Sequence, residues 1–151
     1  MSQIYVCCGS DHFDKDLFRP ISNRTRWVKP NGGLWASPED SSYTWKEWCL
    51  DNEFHVEKLA YKFRFKLAEN SRVIDISSTE DLIELCKDGR CIPEDTFGLD
   101  IHGMYYIDFE KLLSDGIDAI RVTIYPDLYW SLYGWDVDSL LVLNPECIVE
   151  I

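Results

Sequence analysis

Apolar residues in this chain fall in short runs broken by glycine, proline and charged stretches, the pattern of a strand-rich protein with a few helices. Gln3–Cys8 is an apolar run ending at Gly9 and predicts a first strand. Ser10–Asn31 carries Pro20 and Pro30 with mixed charges and no periodicity, long for a loop inside a compact domain and therefore a candidate functional segment. Gly32-Gly33-Leu34-Trp35-Ala36-Ser37-Pro38 follows, two glycines before a short apolar run. Glu39–Asn52 predicts a helix, with Trp45, Trp48 and Cys49 on one face and Ser41 or Ser42 as its cap. Val56–Ala68 alternates strictly: Leu59, Tyr61, Phe63, Phe65 and Leu67 point one way, Lys58, Lys62, Arg64 and Lys66 the other. That is a half-buried strand whose basic outer stripe reads as a solvated face, with a docking stripe as the alternative.

Arg72–Ser77 predicts a further strand. Ser78-Thr79-Glu80-Asp81 resembles a capping box and opens a helix through Leu82, Leu85 and Cys86 that Gly89 closes. Asp108–Ser114 predicts a helix with Leu112 and Leu113 inward, Ile117–Tyr125 a strand, and Asp127–Gly134 an aromatic-rich loop. Ser139–Leu143 and Cys147–Ile151 are two short strands separated by Asn144-Pro145. Strands throughout, helices without regular β–α alternation and no linker or repeat predict one α+β domain over residues 1–151.

Composition narrows the classes. With 46% hydrophobic and 28% charged residues the chain is an ordinary globular protein. No apolar run reaches the ~18 residues of a membrane helix. Met1–Asp11 has neither a basic patch nor a long apolar stretch, so no export leader is expected and the cytosol is the expected compartment. The 15 Lys and Arg stand against 27 Asp and Glu, a net charge of −12. Such a surface repels nucleic acid and anionic membranes and suits a basic protein partner, including one that itself handles nucleic acid. The charge implies nothing about oligomeric state.

The six cysteines, Cys7, Cys8, Cys49, Cys86, Cys91 and Cys147, include no Cys-x-x-Cys pair. Cys7 and Cys8 would point to opposite strand faces, and only His12, His55 and His102 are available beside them, so buried reduced thiols are expected and no metal site. P-loop, dinucleotide-fold, serine-hydrolase, zinc-protease and EF-hand motifs are absent. Asn23-Arg24-Thr25 matches a glycosylation acceptor, which carries no meaning without export.

Two segments carry candidate chemistry. One is Asn23-Arg24 through Trp27, Lys29, Gly33, Leu34, Trp35 and Ser37. The other is Trp135-Asp136-Val137-Asp138 leading into Ser139–Leu143. Asp136 and Asp138 are two residues apart, so both carboxylates share one face where a strand begins. Paired carboxylates there can stabilise a sugar cation; a solvated acidic turn is the structural alternative.

The order of these pieces resembles the ADP-ribosyltransferase fold family: a first strand ending in a short polar residue, a glycine-led loop, Gly33-Leu34-Trp35-x-Ser37 and a helix. Then come Phe109-Glu110-Lys111-Leu112-Leu113 with Gly116-Ile117-Asp118-Ala119-Ile120, and last the acidic strand. It is most similar to the small phage-encoded branch typified by anti-CRISPR ADP-ribosyltransferases, whose tail the closing Leu143–Ile151 resembles. The resemblance implies a split, two-sheet clamp around NAD as substrate. It implies that Asp138 holds the nicotinamide-ribose 2′-hydroxyl and stabilises the oxocarbenium while Asp136 orients the acceptor. Ser37 would stand behind the nicotinamide, Cys8 and Gly9 would meet its amide, and Arg24 or Lys29 would pair with the pyrophosphate. Trp35 or Trp45 would wall the ring, and Asn23, Gly33 and Leu34 belong to the same binding segment. Two positions depart from the family pattern: Asp replaces the usual Glu, and Cys8 replaces the usual Arg or His. The implied activity is an ADP-ribosyltransferase acting on a protein in a host cytosol. The alternatives are a non-enzymatic acidic inhibitor that occupies a basic surface, and an NAD glycohydrolase.

Overall fold

A computed structural model describes residues 3–24, 27–92, 105–132 and 134–151. Thr25 of the glycosylation acceptor, His102, and Tyr133 in the aromatic segment lie outside these residues. Seven strands form one mixed sheet in the order β4-β5-β6-β2-β1-β3-β7. They are β1 (Tyr5–Cys8), β2 (Leu34–Pro38), β3 (Lys62–Leu67), β4 (Val73–Ile76), β5 (Ala119–Val122), β6 (Ser139–Val142) and β7 (Ile148–Glu150). Neighbours are antiparallel except β4 and β5. A parallel pair needs a long crossover, and this one contains α2 (Thr79–Lys87) and α3 (Phe109–Ser114). Helices α1 (Trp45–Asn52) and α4 (Leu128–Ser131) complete an α+β arrangement.

The central strand explains the least polar stretch of the sequence. Every residue of β6 is buried. Leu141 packs with Ile120, Leu112, Leu82 and Trp135 on one face, while Leu140 and Val142 pack with Tyr5, Phe63 and Phe65 on the other. A strand covered on both sides reads as a continuous apolar run rather than an alternation. β3 shows the converse: Phe63 and Phe65 are buried, and Lys62, Arg64 and Lys66 are exposed.

Several boundaries differ from the sequence reading, each for a physical reason. The alternation beginning at Val56 becomes a 3-10 turn over Val56–Ala60 and only then β3. β1 ends opposite this point, with Cys8 beside Lys62 and the Gly9 amide donating to the Tyr61 carbonyl at 2.8 Å, so earlier residues have no ladder to join. Helix α1 starts at Trp45 rather than Glu39, because its cap is Thr44, in a capping box with Glu47, and not Ser41 or Ser42. The Asp127–Gly134 loop contains α4, which begins at the fully buried Leu128 and is followed by the fully buried Leu132. The helix expected at Ser78–Gly89 is present: the Ser78 hydroxyl accepts from the Asp81 amide and the Asp81 carboxylate accepts from the Ser77 amide at 2.9 Å. In Gly116-Ile117-Asp118-Ala119 the Asp118 carboxylate is a structural tie, accepting from the Arg72 amide and from the Asn144 side chain, both at 2.8 Å.

Helix α1 ends on Glu53 in the left-handed region, φ 51° and ψ 42°, with the Phe54 amide returning to the Cys49 carbonyl at 3.0 Å. Glycine is the usual residue at such a cap, and an L side chain there costs on the order of 1 kcal/mol. Glu53→Gly is therefore expected to raise stability by about 0.5–1 kcal/mol, read as a higher urea midpoint at unchanged slope.

Candidate functional site

β2 changes partners along its length, and that change builds the site. Leu34, Trp35 and Ala36 pair with β6, whereas Ser37 and Pro38 pair with β1. Strands β1 and β6 part company across β2, and the space is lined by Cys8 from β1, Trp35 and Ser37 from β2, Trp45 from α1, and Trp135 and Asp136 from the segment entering β6. Lys29, from the long irregular segment, completes the lining of this cavity of about 280 Å³. Six of the residues singled out in the sequence (Cys8, Lys29, Trp35, Ser37, Trp45 and Asp136) thus meet around one cavity, though they are spread over more than a hundred positions of the chain.

Each wall is held by a specific contact. Trp135 is fully buried and donates its indole N–H to the Val28 carbonyl at 3.2 Å. Trp35 stands edge-on to it, ring centroids 4.7 Å apart. The Lys29 ammonium lies 5.3 Å from the centroid of the Trp35 ring, a cation–π placement. Ser37 is 4% exposed, and its hydroxyl oxygen accepts from the Trp45 amide at 3.0 Å. That bond satisfies one donor of the first turn of α1. Among the described residues the Ser37 hydroxyl donates to no protein group, which leaves its proton for a ligand in the cavity.

Asp136 and Asp138 do different work. Asp136 lines the cavity and its charge acts favourably on Lys29. Asp138 is a strut: one carboxylate oxygen accepts from the Ile124 amide at 2.9 Å and the other from the Ser41 hydroxyl at 3.0 Å. It ties the turn before α1 to the end of β5. Of the remaining sequence candidates, Asn23 caps α3, its side chain accepting from the Phe109 amide and donating to Asp108. The Arg24 guanidinium stacks 4.6 Å over the exposed Trp27 ring. Gly33 and Leu34 open β2 without lining the cavity, and the Gly9 amide is committed to Tyr61.

A second cavity, of about 430 Å³, adjoins the first through Val6, Cys8 and Ser37, which line both. Its character is polar: Lys46 and Lys62 face it with Thr44, Glu39, Glu47 and Arg64. Arg64 is paired to Glu39, while Lys46 and Lys62 make no ion pair among the described residues. The sequence reading missed both lysines. Lys62 stood in the basic stripe and Lys46 on a helix, and no local pattern shows that they converge on Cys8.

Burial raises the Cys8 thiol above its ordinary value despite those two lysines, and pushes Cys7 up to about 12. Both are therefore neutral thiols near pH 7, poor nucleophiles. Lys29 is shifted down, mainly by desolvation, with Asp136 opposing. Its charge therefore costs stability in the folded state at any pH below that lowered value, and the cost vanishes as pH rises past the ordinary 10.5, where the unfolded chain also loses the proton. Lys29→Met keeps the packed stem and removes the charge. It is expected to raise the urea midpoint near neutral pH, with the gain shrinking as pH approaches 10.5; an equal midpoint at neutral pH would contradict this.

Among the described residues no three of His, Cys, Asp and Glu gather in a metal-holding group, and no helix is long and apolar enough to cross a membrane. Comparison of the chain with protein-family models, with curated proteins and with solved structures gave no match, so what the site does is argued from its own geometry.

Proposed function

We propose that this protein cleaves NAD at the nicotinamide–ribose bond and transfers the ADP-ribose to a partner protein. The observation that carries the reading is the pair of adjoining cavities with a shared wall at Cys8 and Ser37: one aromatic and holding Asp136, the other lined by Lys46 and Lys62, which make no ion pair among the described residues, beside the Arg64–Glu39 pair and a Glu47 held by Thr44. A dinucleotide has that division of chemistry. Nicotinamide and its ribose suit the compartment walled by Trp35, Trp45 and Trp135, and the diphosphate suits Lys46 and Lys62. The parting of β1 and β6 on either side of β2 supports the two-sheet clamp expected of the ADP-ribosyltransferase family.

In this reading Asp136 is the carboxylate that faces the reacting ribose. The C1′–N bond breaks with its electron pair leaving on nicotinamide, whose ring nitrogen loses its positive charge. The cation left at C1′ is stabilised by Asp136, and an acceptor on the partner protein attacks it and releases its proton to solvent. The Ser37 hydroxyl donates to the nicotinamide amide oxygen and holds the leaving group in the aromatic compartment. Lys29, beside Asp136, aims that carboxylate rather than binding the diphosphate. Asp138 supports the site through Ser41 and Ile124.

Incubation with NAD and a host-cell lysate tests the reading. Nicotinamide release together with a mass gain of one ADP-ribose on a protein is the expected result. Nicotinamide release with free ADP-ribose and unmodified protein would make it an NAD glycohydrolase. No release at all would overturn the enzymatic reading. The surface with net charge −12 then favours an acidic inhibitor that covers a basic surface, whose binding weakens steeply with salt.

A further inference from the structure

Beside the first cavity, one surface is built in a way that packing alone does not explain. Trp45 and Trp48 on α1 stack almost parallel, ring centroids 4.9 Å apart and planes 8° apart. Phe54 stands edge-on to both, at 6.0 and 5.7 Å, and His55 lies against Phe54 at 4.0 Å. The cluster is on the outside: Phe54 is 42% exposed, and Leu50 and Val56 beside it are exposed as well. An apolar group this exposed gains little by being held in place. Yet the backbone holds it at a cost, because Glu53 and His55, on either side of Phe54, are the described non-glycine residues with positive φ, 51° and 46°. Strained residues of this kind concentrate where a side chain must be presented to a ligand or partner.

The rim identifies the occupant. Residues 43–61 carry Glu47, Asp51, Glu53 and Glu57 against Lys46 and Lys58, on a chain of net charge −12. Glu57 lies 3.6 Å from His55 and Glu53 directly precedes Phe54, while Glu47 is held by Thr44 and Asp51 by Tyr43, so the aromatic face beside Glu53 and Glu57 suits a planar cation that can lie on a ring while its N–H groups reach the acids. Guanidinium does this lying flat, with its N–H groups in its own plane, whereas ammonium meets a ring only as a point charge. We infer that the cluster formed by Trp48, Phe54 and His55 is a docking surface for an arginine-bearing basic segment of a partner protein. Trp45 belongs both to this cluster and to the first cavity, so a segment seated here lies next to the cavity mouth. The inference does not rest on NAD cleavage, since the surface needs no nucleotide to be occupied.

The probes are fluorescein-labelled oligoarginine and oligolysine peptides of equal length, titrated against the full chain without NAD. Stacking predicts that the arginine peptide binds several-fold tighter than the lysine peptide, on the order of three- to tenfold. Phe54→Ser is expected to weaken the arginine peptide roughly tenfold and to erase the preference. Phe54→Leu, which keeps apolar bulk and removes the ring face, is expected to erase the preference as well and covers the case in which the serine variant fails to fold. Glu53→Gln with Glu57→Gln should weaken both peptides together. Equal binding of the two peptides, or a preference that survives Phe54→Leu, would overturn the inference. So would Phe54-dependent self-association in sedimentation, which would give the surface to a second copy of this chain. Phe54-dependent binding to anionic vesicles in preference to the peptides would give it to a membrane, with the same result.

Discussion

Asp136→Asn is expected to lower the rate of nicotinamide release from NAD by roughly 100- to 1000-fold while leaving the unfolding midpoint close to that of the parent. The size follows from what the carboxylate would do: stabilise a positive charge that exists only in the transition state, in a cavity walled by three tryptophans where water does little to screen it. The amide keeps the shape and removes the charge. Stability should fall only modestly: among the described residues Asp136 holds no hydrogen bond, unlike its neighbour two residues on, though its charge offsets part of the desolvation of Lys29. Asp138→Asn is the paired measurement. Its oxygen can still accept from the Ile124 amide, and its amide can face the Ser41 hydroxyl, so most of the activity should remain. Asp138→Ala should instead cost about 1–3 kcal/mol by leaving the Ile124 amide unsatisfied. If Asp136→Asn releases nicotinamide as fast as the parent, the assignment fails. If Asp138→Asn is the inactive variant, the role passes to Asp138, as the family resemblance implies.

Gly32→Ala is expected to destabilise the protein by about 2–4 kcal/mol, and to disturb the site from a distance. Gly32 has φ +74°, and a Cβ placed there would lie 2.7 Å from the Pro20 carbonyl carbon and 2.8 Å from the Arg19 carbonyl oxygen. The left-handed conformation alone costs a side chain ~1 kcal/mol. The clash is with backbone on both counts, so no rotamer relieves it, and overpacking of that kind costs ~1–3 kcal/mol more. The chain around Gly32 is fixed from several sides: Ser22 and Asn31 exchange backbone hydrogen bonds of 3.0 and 2.8 Å, and the Gly33 amide reaches the Arg19 carbonyl at 2.9 Å. Displacing this crossing moves the start of β2, and with it Trp35 and Ser37. A urea midpoint equal to the parent's would refute the steric argument; a lowered midpoint with an intact site would show that β2 is anchored by β6 rather than by the glycine turn.

Much of this protein could be read along the chain because short-range physics writes it there. The alternation Phe63–Phe65 against Lys62–Lys66 is a strand with one wet face whatever it pairs with. Leu140–Leu143 is a strand buried twice over, since no polar residue interrupts it. Ser78 and Asp81 start a helix, and Gly89 allows it to end, within one turn of local hydrogen bonding. The buried Val137 between the partly exposed Asp136 and Asp138 likewise follows from local alternation, although both aspartates precede β6.

Pairings between distant segments leave no such trace, and they decided the rest. Which aspartate faces the cavity depended on Ser41 and Ile124, residues far away in sequence that claim Asp138 and leave Asp136 free. The strand predicted from Val56 shortened because β1 had already ended opposite it. Lys46 on α1 and Lys62 on β3 face one cavity beside Cys8 only in the folded chain, so their shared role was invisible in either segment alone. Asn23 caps α3 from more than eighty positions away, a tie that neither segment shows alone. Local sequence thus settled which residues were apolar, turning or charged. Long-range closure of the sheet, in which β2 is shared between β6 and β1, settled which of them meet.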